Sequence, residues 1–242
     1  MTMPTVSLAP SVLFNLGPLP VTTTMLLQLL VSIIIAITFI TVAKRWKKVP
    51  GTFQYLVESL LLLAEEQVQK ITNDEARTKK IFPLIFTFFI FILVANLITI
   101  FPGLGAISYG DISLFRATLA DYGMILVMTL IVIGLCQVYF ILVNGVGAYL
   151  KKWFNFSSPM AFILGLMDII SEFAKILSLS FRLYGNVFAG EVLMAVITAL
   201  IPYFVPFPFF VITTFSSVIQ AYVFALLATI FINTSLEAVE SN

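Results

Sequence analysis

Long uninterrupted apolar runs set the pattern of this chain. Residues 21–43, 81–101 and 122–144 carry no Asp, Glu, Lys or Arg. A helix crossing a hydrocarbon core of about 30 Å needs roughly 20 such residues, so each run predicts one span. Residues 51–80 read differently. Phe53, Leu56, Val57, Leu60, Leu63, Ala64 and Val68 recur at three and four, with Glu58, Glu65, Glu66, Lys70 and Asp74 interleaved. That period predicts an amphipathic helix over 52–76, on the membrane surface or packed on the spans. Residues 160–201 form one apolar helical run of 42 residues without proline. At about 1.5 Å per residue it would be about 63 Å long, twice the hydrocarbon thickness. It must tilt strongly or lie partly in the membrane plane. Pro202, Pro206 and Pro208 mark a turn, and 209–236 is a second overlong helix. The expected fold is an all-α integral membrane protein with about five membrane helices. The last two form a long, strongly tilted hairpin. Residues 1–242 make a single membrane domain with no internal repeat.

Composition sharpens the class. The chain is 60% hydrophobic and 10% charged, against about 25% charged in soluble domains. Soluble enzymes, nucleic-acid modules, coiled coils and disordered chains are excluded. Net charge is +1, so no global field draws in polyanions. One cysteine, Cys136, and no histidine exclude an intrachain disulfide and a thiol metal cluster, and remove the commonest proton shuttle. No metal or cofactor is expected. Titratable chemistry falls to carboxylates, Lys and Arg. Basic clusters give the orientation. Lys44, Arg45, Lys47 and Lys48 follow the first run, Arg77, Lys79 and Lys80 precede the second, and Lys151 and Lys152 follow the third. They place the N-terminus outside and the C-terminus inside, with Asp111, Arg116 and Asp121 in an outside loop. The first charges follow the first run rather than precede it, so it reads as an uncleaved span.

Every charge of the C-terminal hydrophobic region falls on the overlong helix: Asp168, Glu172, Lys175, Arg182 and Glu191. Ionisable groups at membrane depth are costly and default to a functional reading. At about 100° per residue, Lys175, Asp168 and Asn186 lie within about 40° of Arg182, with Ser178 on the same stripe, and Glu172 lies at about 80°. Glu191 stands about 180° away. Arg182 is a permanent cation. Asp168 lies about 21 Å along the helix from it, too far to pair, and Glu191 is on the opposite side. A missing carboxylate on another chain is therefore expected, ahead of a buried ion pair or a snorkelling side chain. Asp168 and Glu172 lie toward the cytoplasmic end. A salt bridge to Lys175 or a solvated helix end stands beside an ion-path role for them. On the last helix Thr213, Ser216, Ser217 and Gln220 form a polar stripe, either packing glue or the wall of a polar path.

The stretch Ser178-Leu179-Ser180-Phe181-Arg182-Leu183-Tyr184-Gly185-Asn186-Val187-Phe188-Ala189-Gly190-Glu191 closely resembles the signature of subunit a of F-type ATP synthases. Ile219-Gln220-Ala221-Tyr222-Val223-Phe224 and Asn96-Leu97 followed by Pro102-Gly103 are similar to two further family segments. The resemblance runs from about Val49 to Glu237. It implies a non-catalytic stator subunit of a rotary motor, conducting ions, with protons as the expected coupling ion. The implied partners are a ring of c subunits with one mid-membrane carboxylate each, b-type peripheral stalk subunits, the remainder of the synthase and the lipid bilayer, with no nucleic acid. Two aqueous half-channels would reach the ring from opposite sides. By resemblance Arg182 separates them and faces the ring carboxylate, and Glu191 serves the outside half-channel. Asn186 and Gln220 match polar positions beside the arginine, and Asp168 an acidic position toward the cytoplasm. Ser178, Lys175, Thr213 and Ser217 are supporting polar positions. Thr213 departs from the family, since many bacterial members carry His there to partner the Glu. The implied location is a bacterial plasma (inner) membrane, with an organelle membrane as the alternative. A stand-alone transporter and a membrane scaffold are the other two classes. Co-purification with a ring and an ATPase head separates the motor from both.

Overall fold

The computed structural model describes residues 12–16, 19–44, 51–99, 108–109, 112–113, 118–153, 159–201 and 204–237. Arg45, Lys47, Lys48, Pro102, Gly103, Gly105, Asp111, Arg116 and Pro202 lie outside them. Six helices follow in chain order: α1 (Thr23–Lys44), α2 (Thr52–Thr72), α3 (Glu75–Thr99), α4 (Tyr122–Trp153), α5 (Pro159–Leu200) and α6 (Pro206–Glu237). By length and composition α1, α3, α4 and α6 each hold a segment able to cross a membrane. The chain is an all-helical, multi-pass membrane protein. Two small antiparallel hairpins add to this: β1 (Val12–Leu16) with β2 (Leu19–Thr22), and β3 (Ser108–Tyr109) with β4 (Ile112–Ser113). Hydropathy runs do not predict them. Gly17-Pro18 and Gly110-Asp111 separate the strands in sequence, and these residue types favour tight turns over helix.

The amphipathic segment ends earlier than its period suggests. Asn73 adopts a left-handed conformation (φ 50°) and its N–H returns to the Gln69 carbonyl, a helix C-cap of the αL type. One residue later Asp74 accepts from the Ala76 N–H at 2.8 Å, an N-terminal cap for α3. Asn73-Asp74 thus stops one helix and starts the next, and the basic turn Arg77–Lys80 belongs to the start of the spanning helix. α4 runs past its apolar stretch but kinks at Gly145, whose backbone (φ 79°, ψ 160°) is non-helical. α6 opens on Pro206, a residue tolerated in the first turn because its missing N–H would be unpaired there anyway.

α6 is the hub of the packing: it touches α2, α3, α4 and α5, while α1 packs on α3. Leu27, Val31, Ile81, Ile92, Ile125, Leu183, Phe224 and Ile232 form the buried core. At the start of α1, Thr24 Oγ1 donates to Asp121 Oδ2 at 3.1 Å. Asp121 Oδ1 accepts from the Gly123 N–H at 3.0 Å. Asp121 therefore caps α4 and ties it to α1 through one carboxylate. Met25, Leu29, Ile33, Ile37 and Ile40 stand exposed along α1, a surface that suits hydrocarbon rather than water.

Candidate ion-path site on α5 and α6

α5 is 42 residues long, about 63 Å at helical rise. Leu179, Leu183 and Val187 form its buried side. Ser178, Phe181, Arg182, Gly185 and Ala189 stand exposed on the other. Arg182 is thus at the surface of the chain. Its Nη2 donates to Ser178 Oγ at a long 3.5 Å, one helical turn back. The ion pairs among the described residues join Lys70 to Glu66, Arg77 to Asp74, Lys79 to Glu75 and Lys175 to Glu172. None of these includes Arg182. Around it the surface is small-sided: a Cβ at Gly185 would meet nothing within 4 Å.

Beside the arginine α5 turns a polar sector toward α6. Asn186 Oδ1 accepts a short hydrogen bond from Ser216 Oγ. Asn186 Nδ2 and Gln220 Nε2 are buried and have no hydrogen-bond partner among the described residues. Two orphaned amide donors in one sector are the mark of a place where ordered water belongs. Asn96 reaches in from α3: buried at 3% exposure, it donates through Nδ2 to the Ser217 carbonyl at 3.2 Å. Its signal in the sequence is a lone amide in an otherwise apolar span, a group too costly to bury without a partner. Gln220 is buried, whereas Arg182 is exposed.

Near the α5–α6 turn the two helices come close. A Cβ at Gly190 would meet Thr213 Cγ2 at 3.4 Å, and Thr213 Oγ1 donates within its own helix to the Phe210 carbonyl at 3.0 Å. Thr213 thus turns its methyl group to α5 and spends its proton on its own backbone. Glu191 is half-buried. At the other end of α5, Asp168 is exposed, whereas Glu172 is buried and paired with Lys175 at 3.1 Å. The stripe read from helical angles therefore divides in three: Asp168, Ser178 and Arg182 outward, Asn186 against α6, and Glu172 with Lys175 inward.

An aromatic brace sets the rotation of α5 at the height of Arg182. The Tyr122 ring stacks on Phe181 at 5.3 Å and meets Tyr184 edge-on at 5.5 Å. Its hydroxyl lies 3.4 Å from Ser180 Oγ. Three of the residues nearest Arg182 in sequence are thus held by one side chain of α4. Each aromatic contact contributes about 0.5–1.5 kcal/mol beyond its area. Tyr122→Leu is expected to lower ion transport several-fold, and Tyr122→Phe, which keeps both ring contacts, to stay within about twofold of wild type. Equal activity of the two variants would remove the brace from the account.

Comparison with known proteins shows the family of the chain. The family model described as ATP synthase A chain matches residues 25–233. An ATP synthase subunit a from Rubrobacter xylanophilus is 35% identical over 224 residues, covering 86% of this chain and 82% of that protein. One from Geotalea daltonii is 32% identical over 211 residues, covering 86% and 85%. The ATP synthase subunit a 2 of a Bradyrhizobium is 29% identical over 232 residues, 96% of each chain. With a family model over most of its length and a relative at 35% identity matched over more than four fifths of each chain, the chain belongs to the ATP synthase subunit a family, the non-catalytic, multi-pass membrane subunit of the F-type, proton-translocating enzyme.

Proposed function

We propose that the outward face of α5 around Arg182 is the surface against which a ring of small, carboxylate-bearing subunits turns. The observation that carries this reading is an exposed arginine with small neighbours and no ion pair to a described residue of its own chain. A guanidinium stays charged at membrane depth, so its counter-charge must come from another chain or from water. A passing ring carboxylate supplies it. Arg182 stabilises that carboxylate as an anion, favours its deprotonation, and lets it move on when the next arrives. Being fixed, Arg182 also separates two water paths. Glu191 serves the outside path and Asp168 the cytoplasmic one. The buried amides of Asn186 and Gln220, with Ser217 and Ser216 beside them, hold water next to the arginine. Thr213 closes the α5–α6 contact by packing, so any path past it runs through water rather than through its hydroxyl.

A cross-link tests the surface. In a Cys136→Ser background, Gly185→Cys is expected to form a disulfide with a cysteine placed beside the ring carboxylate. Ile33→Cys, on the exposed side of α1, is expected not to. Cross-linking at 33 without cross-linking at 185 would move the ring to another face. Ion transport by the purified chain alone would favour a stand-alone transporter.

A further inference from the structure

α5 carries a pair of opposite charges toward its N-terminal end. Glu172 is buried, and its carboxylate accepts from Lys175 Nζ at 3.1 Å. That ammonium also stands 5.5 Å from the centre of the Phe231 ring on α6, within cation–π range. Tyr149, beyond the kink of α4, senses the same site: burial first, and then the charge of Glu172, pushes its phenol above the usual value. Residues of α5 and α6 therefore meet at one ion pair, whose charge reaches Tyr149 of α4. Asp168, one turn earlier on α5, is exposed by contrast.

We propose that Glu172 and Lys175 form a closed ion pair that holds α5 against α4 and α6 and keeps both charges out of the ion path. The physical reason is the asymmetry of buried charge. Glu172 is the buried member and Lys175 the half-buried one, so removing Lys175 leaves the carboxylate desolvated and uncompensated, which is destabilising, whereas replacing both with apolar residues of similar volume is close to neutral. A group that carried ions would behave oppositely, since no second substitution could restore a lost titratable site. The pair has a further consequence. Lys175 lies seven residues from Arg182, about 10.5 Å along the helix and about 20° around it. Left unpaired, its ammonium would be a second cation competing for the anion that Arg182 holds. Glu172 neutralises it, leaving Arg182 as the cation offered to the ring. This consequence rests on the role proposed for Arg182; the packing of the pair does not.

The test compares Glu172→Leu, Lys175→Met and the double variant in the intact synthase. Two quantities are read: how much assembled complex retains this chain, and ATP-driven pumping per assembled complex. Lys175→Met alone is expected to cut assembled complex by about tenfold or more, and the double variant to restore assembly and pumping to within about twofold of wild type. Wild-type behaviour of Lys175→Met would overturn the proposal. So would a double variant that assembles fully but pumps as poorly per complex as Glu172→Leu, because Glu172 would then carry ions itself. Arg182→Ala separates this from the reading of the arginine: its failure to stop pumping would leave the assembly result of the pair unchanged.

Discussion

Arg182→Ala is expected to abolish ATP-driven proton pumping while the chain still inserts and the complex still assembles. The loss follows from the charge. Two unit charges about 4 Å apart attract by about 4 kcal/mol at an effective dielectric of about 20. One pKa unit corresponds to about 1.36 kcal/mol, so in the proposed role the guanidinium would lower the pKa of a ring carboxylate at that distance by about three units. Without it the ring site holds its proton as it passes, and the rotor step has no anion to act on. The retained assembly follows from exposure. Arg182 lies on the surface of α5, its hydrogen bond to Ser178 is long at 3.5 Å, and no described ion pair includes it, so its removal orphans no buried charge. The contrast with Lys175 is direct, since its removal strands the buried Glu172. Arg182→Lys is expected to fail nearly as badly, because an ammonium lacks the planar fork and loses its charge more readily when desolvated. Wild-type pumping in the alanine variant would sink the role of the arginine.

Cysteines at 168 and 191 are expected to react with a small, membrane-impermeant thiol reagent from opposite sides of the membrane. Asp168 precedes Arg182 by 14 residues, about 21 Å along the helix, and Glu191 follows it by nine, about 13 Å. The two acids also differ in rotation by about 140°. Asp168 is exposed and Glu191 half-buried. With the N-terminus outside, as the basic clusters predict, α5 runs from the cytoplasmic to the outer side. In a Cys136→Ser background, Glu191→Cys should then be modified by reagent added outside, and Asp168→Cys by reagent added from the cytoplasmic side. Ready labelling of both from one side would replace two offset half-channels with a single continuous pore.

The class of this protein was legible in its sequence because a bilayer imposes a simple demand. Each span needs about 20 apolar residues with its backbone hydrogen bonds satisfied internally, and runs of that length are plain in the chain. Arg182 was legible for a related reason: a permanent charge among apolar residues, with no partner at helical spacing, points beyond its own helix. Local chemistry went further than hydropathy at Asn73 and Asp74, where a left-handed cap and a side-chain cap divide what the apolar period reads as one segment.

What only the tertiary structure decided was which angles on each helix are buried. Helical spacing gives rotations relative to Arg182, and on that measure Lys175, Asp168 and Asn186 are equivalent neighbours. Packing distinguishes them. Phe231 of α6 lies over Lys175, which pairs with the buried Glu172, Ser216 of α6 meets Asn186, and Arg182 and Asp168 stand exposed among the described residues. Thr213 makes the same point, since its sequence shows a hydroxyl but only its contact with Gly190 and its bond to the Phe210 carbonyl show that the hydroxyl is already used. A helix fixes the angles among its own side chains, while the direction of the whole set depends on contacts between residues far apart in sequence. In this chain Asn96 with Ser217, and Tyr122 with Phe181, are the contacts that set it.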